Sequence, residues 1–214
     1  MATIRVLLET TPKKAFASAL DWPGLSRAGR NEATALEALG ESLARFAPVA
    51  ALAGEPFDTG ATLEVVERVA GDASTAFGVP AITADADRVP TDSAEASRLA
   101  ALVDAAWRTL DAVVAAAPEE LRKGPRGGGR DRTKIVGHVR DAEAAYAQVM
   151  GRKHHPVDEA SVAAMRADLL AVLREPSDGS PIAGKKWPAR YAARRIAWHA
   201  LDHAWEIEDR TEPG

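Results

Sequence analysis

The chain has 214 residues, enough for one or two domains with a sizeable core. Its 27 Lys and Arg stand against 31 Asp and Glu, a net charge of -4, which excludes a general pull toward nucleic acid or an anionic membrane. There is no cysteine, so a disulfide framework, a thiolate metal site and a cysteine nucleophile are excluded as well. No apolar run approaches the ~18 residues of a membrane span. The start, MATIRVLLETTPKK, lacks the basic-then-apolar order of a signal peptide. The expectation is a soluble, cytoplasmic protein. Alanine supplies 46 of the residues, which favours helix and close helix contacts.

From Thr3 to Glu9 apolar residues alternate, with Ile4, Val6 and Leu8 on one face, which is strand spacing. Thr11 to Lys14 is a turn, and Ala15 to Leu20 reads as a second extended segment. Pro23-Gly24 is a reverse turn, since Pro presets φ and Gly accepts positive φ. A short strand around Leu25 to Ala28 follows. Asn31 can cap a helix that carries Leu36, Leu39, Leu43 and Phe46 on one face, and Pro48 is expected to end or kink it. Thr62 to Val69 is extended again. The first seventy residues read as β-β-β-α-β.

Residues 71–92 break periodicity with two prolines and several small and acidic residues, as a linker or irregular connection does. After them the period is helical throughout. The predicted helices are Ser93–Ala117, Arg132–Gly151, Val157–Arg174 and Pro188–Arg210, and four amphipathic helices make a four-helix bundle. The expected fold class is α+β: a small β-β-β-α-β domain over 1–70, a linker over 71–92, and an all-α bundle over 93–214.

Three of the five histidines fall in these helices. His199 and His203 lie one turn apart on the fourth helix, on the stripe continued by Ile196 and Ile207. His138 lies in the second helix near the line of Ile135, Ala142 and Val149. Neutral imidazoles on consecutive turns can bind one ion together, and a third from a facing helix completes a three-histidine site with open positions. The spacing alone also allows three hydrogen-bonded core imidazoles, each needing a buried partner.

The segments RTKIVGHVRDAEAAYAQVM (132–150) and RRIAWHALDHAWEIEDR (194–210) resemble the two metal helices of the DinB-like four-helix-bundle family. The resemblance covers about 93–214. It implies one divalent ion, most often zinc or nickel, held by His138, His199 and His203. It also implies kinship with thiol-dependent transferases and isomerases that use mycothiol or bacillithiol, although many members have no known activity.

Around the triad, Asp141, Asp202 and Glu206 are placed to accept a free imidazole N–H, Glu206 best of all because it continues the His199–His203 face. Arg195, one turn before His199, could pair with a carboxylate of a substrate or thiol cofactor, which makes it a candidate cofactor-binding residue. His154 and His155, beside Pro156, read as exposed loop residues. Two basic patches could attract an anion to the bundle mouth. One is Arg122, Lys123, Arg126, Arg130, Arg132 and Lys134 around Gly127-Gly128-Gly129, a glycine run that fits no phosphate loop and reads as a mobile loop. The other is Lys185, Lys186, Arg190, Arg194 and Arg195. Trp198 and Trp205 read as packing residues.

The run AFASALDWPGLSRAGRNEATALEAL (15–39) resembles the HicB-like antitoxin fold, through Asp21-Trp22-Pro23-Gly24 and Gly29 to Leu39, over roughly 3–70. The resemblance implies a partner-binding module without catalytic machinery. The DNA-binding tail of such antitoxins is replaced here by the helical segment, so the unit is read as a fused packing or dimerisation domain, with a homodimer as one expected assembly and no nucleic acid or membrane partner. Two functions follow. One is a metal-dependent thiol S-transferase or isomerase acting on a small electrophile, with the thiol supplied by a low-molecular-weight cofactor because the chain has none. The other is a non-catalytic metal-binding or interaction protein that uses the HicB-like module as its partner surface.

Overall fold

A computed structural model describes residues 2–123 and 129–211. The fold is α+β. In chain order it contains β1 (Thr3–Thr10), β2 (Ala15–Ala19), β3 (Ser26–Gly29), α1 (Glu32–Glu41), α2 (Leu43–Leu52), β4 (Thr62–Ala70), α3 (Ala73–Phe77), α4 (Ser93–Ala116), α5 (Arg132–Val149), α6 (Glu159–Arg174) and α7 (Ala189–Arg210). Two short 3-10 turns, Asp85–Arg88 and Ile182–Gly184, complete it.

The strands form one mixed sheet in the order β3-β2-β1-β4, antiparallel except for the parallel β1–β4 pair. The register puts Val6 beside Ala19 and Leu8 beside Ala17, on the face that α1 covers. Leu7 beside Ser18 and Glu9 beside Phe16 lie on the opposite face. A tight turn joins β2 to β3, with Leu25 N–H donating to the Trp22 carbonyl at 3.0 Å. Pro23 and Gly24 occupy its centre, and Gly24 has φ +98°. A Cβ on Gly24 would also lie 2.6 Å from Leu201 Cδ1, so this glycine is required both by its backbone and by the approach of α7.

The single helix expected between Asn31 and Pro48 is two helices. Asn31 caps α1 as expected, its side chain accepting from Thr34 N–H at 3.0 Å. The chain breaks at Ser42, whose hydroxyl donates to the Leu39 carbonyl at 2.7 Å. Pro48 neither ends nor precedes the break; it sits inside α2. It is tolerated because Pro48 and Ala44, whose carbonyl loses its partner, are both exposed, so water can satisfy that oxygen.

Residues 71–92 are largely irregular, as their composition predicts, and they are fastened down. Ala84 packs on Leu7 and Leu20 against the second face of the sheet. Glu9, buried on that face, accepts from the Thr75 hydroxyl and from Ala81 and Ile82 N–H at 3.0 and 3.2 Å. Asp87, 1% exposed, forms two hydrogen bonds with Arg194 of α7 at 2.9 and 2.5 Å.

The predicted bounds of the four long helices agree with α4 to α7 to within two residues at each end. α4 packs on α7 and α6, and α5 packs on the same two. α7 also touches the sheet region: Trp198 meets Phe16 edge to face at 6.1 Å, and Arg27 stacks 3.8 Å from the Trp205 ring. Most of α7 is buried, and Ala192, Ala193, Ala197, Ala200 and Ala204 are all sealed from solvent. A helix buried on most of its circumference needs small residues wherever a neighbour approaches closely, and this is where the alanine content is used.

Candidate metal centre

α5 and α7 lie side by side and bring His138 against the His199–His203 pair. One ligating nitrogen from each imidazole can be chosen so that all lie within 4.8 Å of one another. His138 Nε2 and His199 Nε2 are 3.3 Å apart. With metal–nitrogen bonds of about 2.0–2.1 Å, two ligands on a tetrahedral ion stand about 3.3–3.4 Å apart. The three close histidines can therefore hold a divalent ion.

His203 Nδ1 donates to Glu206 Oε2 at 2.8 Å, and Glu206 Oε1 accepts from Arg210 at 2.8 Å. That chain fixes the ring and leaves Nε2 of His203 with its lone pair free, as a ligating histidine requires. The hydrogen bond from His203 holds the Glu206 carboxyl below its usual range. His199 differs, since its Nδ1 is buried without a partner among the described residues.

His199 and His203 are 6% and 7% exposed, whereas His138 is exposed. His138 is therefore the side from which solvent reaches the triad. Burial, reinforced by His203 and Arg195, pushes His199 down to about 2. Partial desolvation against its neighbours and the charge of Arg130 lower His138 as well. Both shifts favour the neutral imidazole, the form that binds a cation.

The other predicted residues separate. Glu206 makes the expected contact. Asp141 is exposed and makes no hydrogen bond among the described residues. Asp202 is half-buried without an ion pair there, and burial raises its pKa. Arg195 stacks between Tyr146 and Trp198, its Cζ 5.2 and 4.7 Å from the ring centroids, and it has no carboxylate partner among the described residues. Arg190 and Arg194 are neutralised by Glu95 and Asp87, so the second basic patch is less cationic than its sequence. In the first patch, Arg132 pairs with Glu119 and Lys123 with Asp131, and Arg122 donates to the Asp209 carbonyl at 2.6 Å. Arg126, Gly127 and Gly128 lie outside the described residues. His154 corrects the reading of an exposed loop residue: it is half-buried and bonded to Asp168 at 2.8 Å, while His155 is exposed.

The sequence does not announce the edge-to-face approach of Tyr146 to His199 at 5.7 Å. Sequence reasoning also missed Arg210, although the i, i+4 spacing from Glu206 is a readable signal. No family model matches the chain, and no curated protein or solved structure matches it either.

Proposed function

We propose that α4 to α7 form a DinB-like four-helix bundle, that His138, His199 and His203 hold one divalent ion, zinc or nickel, and that the chain is a metal-dependent thiol S-transferase or isomerase of the cytoplasm. The observation that carries this reading is the convergence of three imidazoles, one of them oriented by Glu206, with one edge open to solvent at His138. A divalent ion bound there would acidify a thiol or a water molecule. The chain has no thiol of its own, so the thiol is that of a small cofactor of the mycothiol or bacillithiol type. Arg195, with its guanidinium unpaired among the described residues, would hold a carboxylate of the cofactor or of the electrophile. The HicB-like resemblance of residues 3–70 supports reading that unit as a packing or dimerisation module.

The deep burial of His199 and His203 favours a second reading, a non-catalytic metal-binding protein with the N-terminal unit as its partner surface. The deciding experiment has two parts. Metal analysis of untagged protein should find about one divalent ion per chain, as a single three-histidine set predicts. Thiol consumption with mycothiol, bacillithiol or a surrogate thiol is then followed against a panel of electrophiles. Turnover abolished by His138→Ala supports the enzyme. A metal-loaded protein with no thiol-dependent turnover and no thiol-induced spectral change after cobalt substitution supports the second reading.

A further inference from the structure

A cavity of about 270 Å3 opens between α4, α5 and α6. At about 30 Å3 of liquid volume per water molecule, that is room for about nine non-hydrogen atoms. Its apolar wall is made by Leu110, Val139 and Val162, all buried, with Val114 and Val136 half-buried beside them. None of the three clustered histidines lines it. Water finds no partner on such a wall, and a small ligand with an apolar body gains by covering it.

The charges around the cavity are unequal. Arg166 donates from Nε and Nη2 to the two Glu143 oxygens, both at 3.0 Å, and from Nη1 to the two Asp111 oxygens at 3.0 and 2.9 Å. Glu143 is buried; burial raises its pKa, but both its oxygens accept from one guanidinium, the arrangement of an ionised carboxylate. Asp111 lies on the wall itself, with its side chain 62% exposed. One guanidinium is thus shared by two carboxylates. Arg140 of α5 pairs with Oε1 of Glu159 at the start of α6, and Oε2 of that carboxylate has no hydrogen-bond partner among the described residues. Three carboxylates therefore stand against two guanidiniums. A carboxylate ligand would break one of these pairs and add to the excess. An ammonium group offsets the excess and can use the spare lone pairs of Asp111 and Glu159 without displacing either arginine.

We propose that this cavity binds a small primary amine with an apolar body, its ammonium group at Asp111 and Glu159 and its tail on the aliphatic wall. The proposal does not rest on the histidine site.

Phenethylamine, which is of the right volume, is the probe. Its neutral counterpart is 2-phenylethanol and its anionic one phenylacetate. Each is titrated into the full chain by calorimetry at low ionic strength, with a chelator present so that no metal-bound amine contributes. Phenethylamine should bind saturably at one site per chain, 2-phenylethanol about tenfold more weakly, and phenylacetate more weakly still. Asp111→Asn combined with Glu159→Gln should lower the amine affinity about tenfold or more and leave that of 2-phenylethanol unchanged. Both side chains are exposed, and Glu159→Gln alone, at the more exposed position, should give a smaller loss in the same direction. His138→Ala should leave amine binding unchanged. No saturable binding of phenethylamine, equal affinity for the three probes, an amine affinity untouched by the double substitution, or one lost with His138→Ala overturns the proposal.

Discussion

At the scale of single residues, the triad and its support make separable predictions. His199→Ala and His203→Ala should each remove most of the bound ion, because two imidazoles do not close the site. Glu206→Ala leaves all three ligands in place and should weaken metal affinity about 10–100-fold, through loss of the group that orients His203. Competition with a chromophoric chelator measures all three, and unchanged affinity in Glu206→Ala would show that its bond to His203 contributes nothing to binding. The Asp87–Arg194 pair predicts a loss of stability. Asp87→Ala strands a guanidinium 6% exposed and should cost about 3–5 kcal/mol in chemical denaturation. These residues were unequally legible. His199, His203 and Glu206 share one helix face, so their meeting is dictated by 3.6 residues per turn. His138 needed only the expectation that its helix lies beside theirs. Asp87 meets Arg194 across 107 residues, and no local period announces such a contact.

At the scale of elements, the long helices declared themselves because each carries an unbroken apolar stripe and begins beside an Asp or Pro. The Ser42 break was illegible for the opposite reason: Leu36, Leu39, Leu43 and Phe46 keep helical spacing straight across it. Proline attracted the prediction at 48, but exposure made it harmless there. The hairpin turn was legible from Pro23-Gly24, yet the sequence said nothing of what presses on it. That contact makes Gly24→Ala a sharp test. Alanine must adopt φ near +98° and displace Leu201, so the loss should be about 2 kcal/mol or more. Urea denaturation reads it, and a neutral substitution would mean that the hairpin and α7 can part without cost.

At the scale of the whole molecule, the buried apolar residues on one face of the sheet, among them Ile4, Val6 and Leu8, share one continuous cluster with most of those of α4 to α7. A fragment of 93–214 retains the triad and the apolar stripes of its four long helices, but it uncovers Trp198 and Trp205 and deprives Arg194 of Asp87. It is expected to stay helical by circular dichroism and to melt well below the full chain. An equal melting midpoint would show that the seam adds nothing and that the two halves are independent.

α7 follows in sequence every element it packs against. During translation, the strands, α4 and the His138 helix α5 therefore emerge before the segment they pack against. Domains generally condense as units, and a nascent chain waiting for its central helix presents apolar surface to whatever holds it. Leu99, Leu102 and Val103 of α4 belong to the core that α7 completes. The docking of α7 is thus the late event of biogenesis. The same event first brings the three imidazoles together, so a partly made chain has no triad with which to capture a cation.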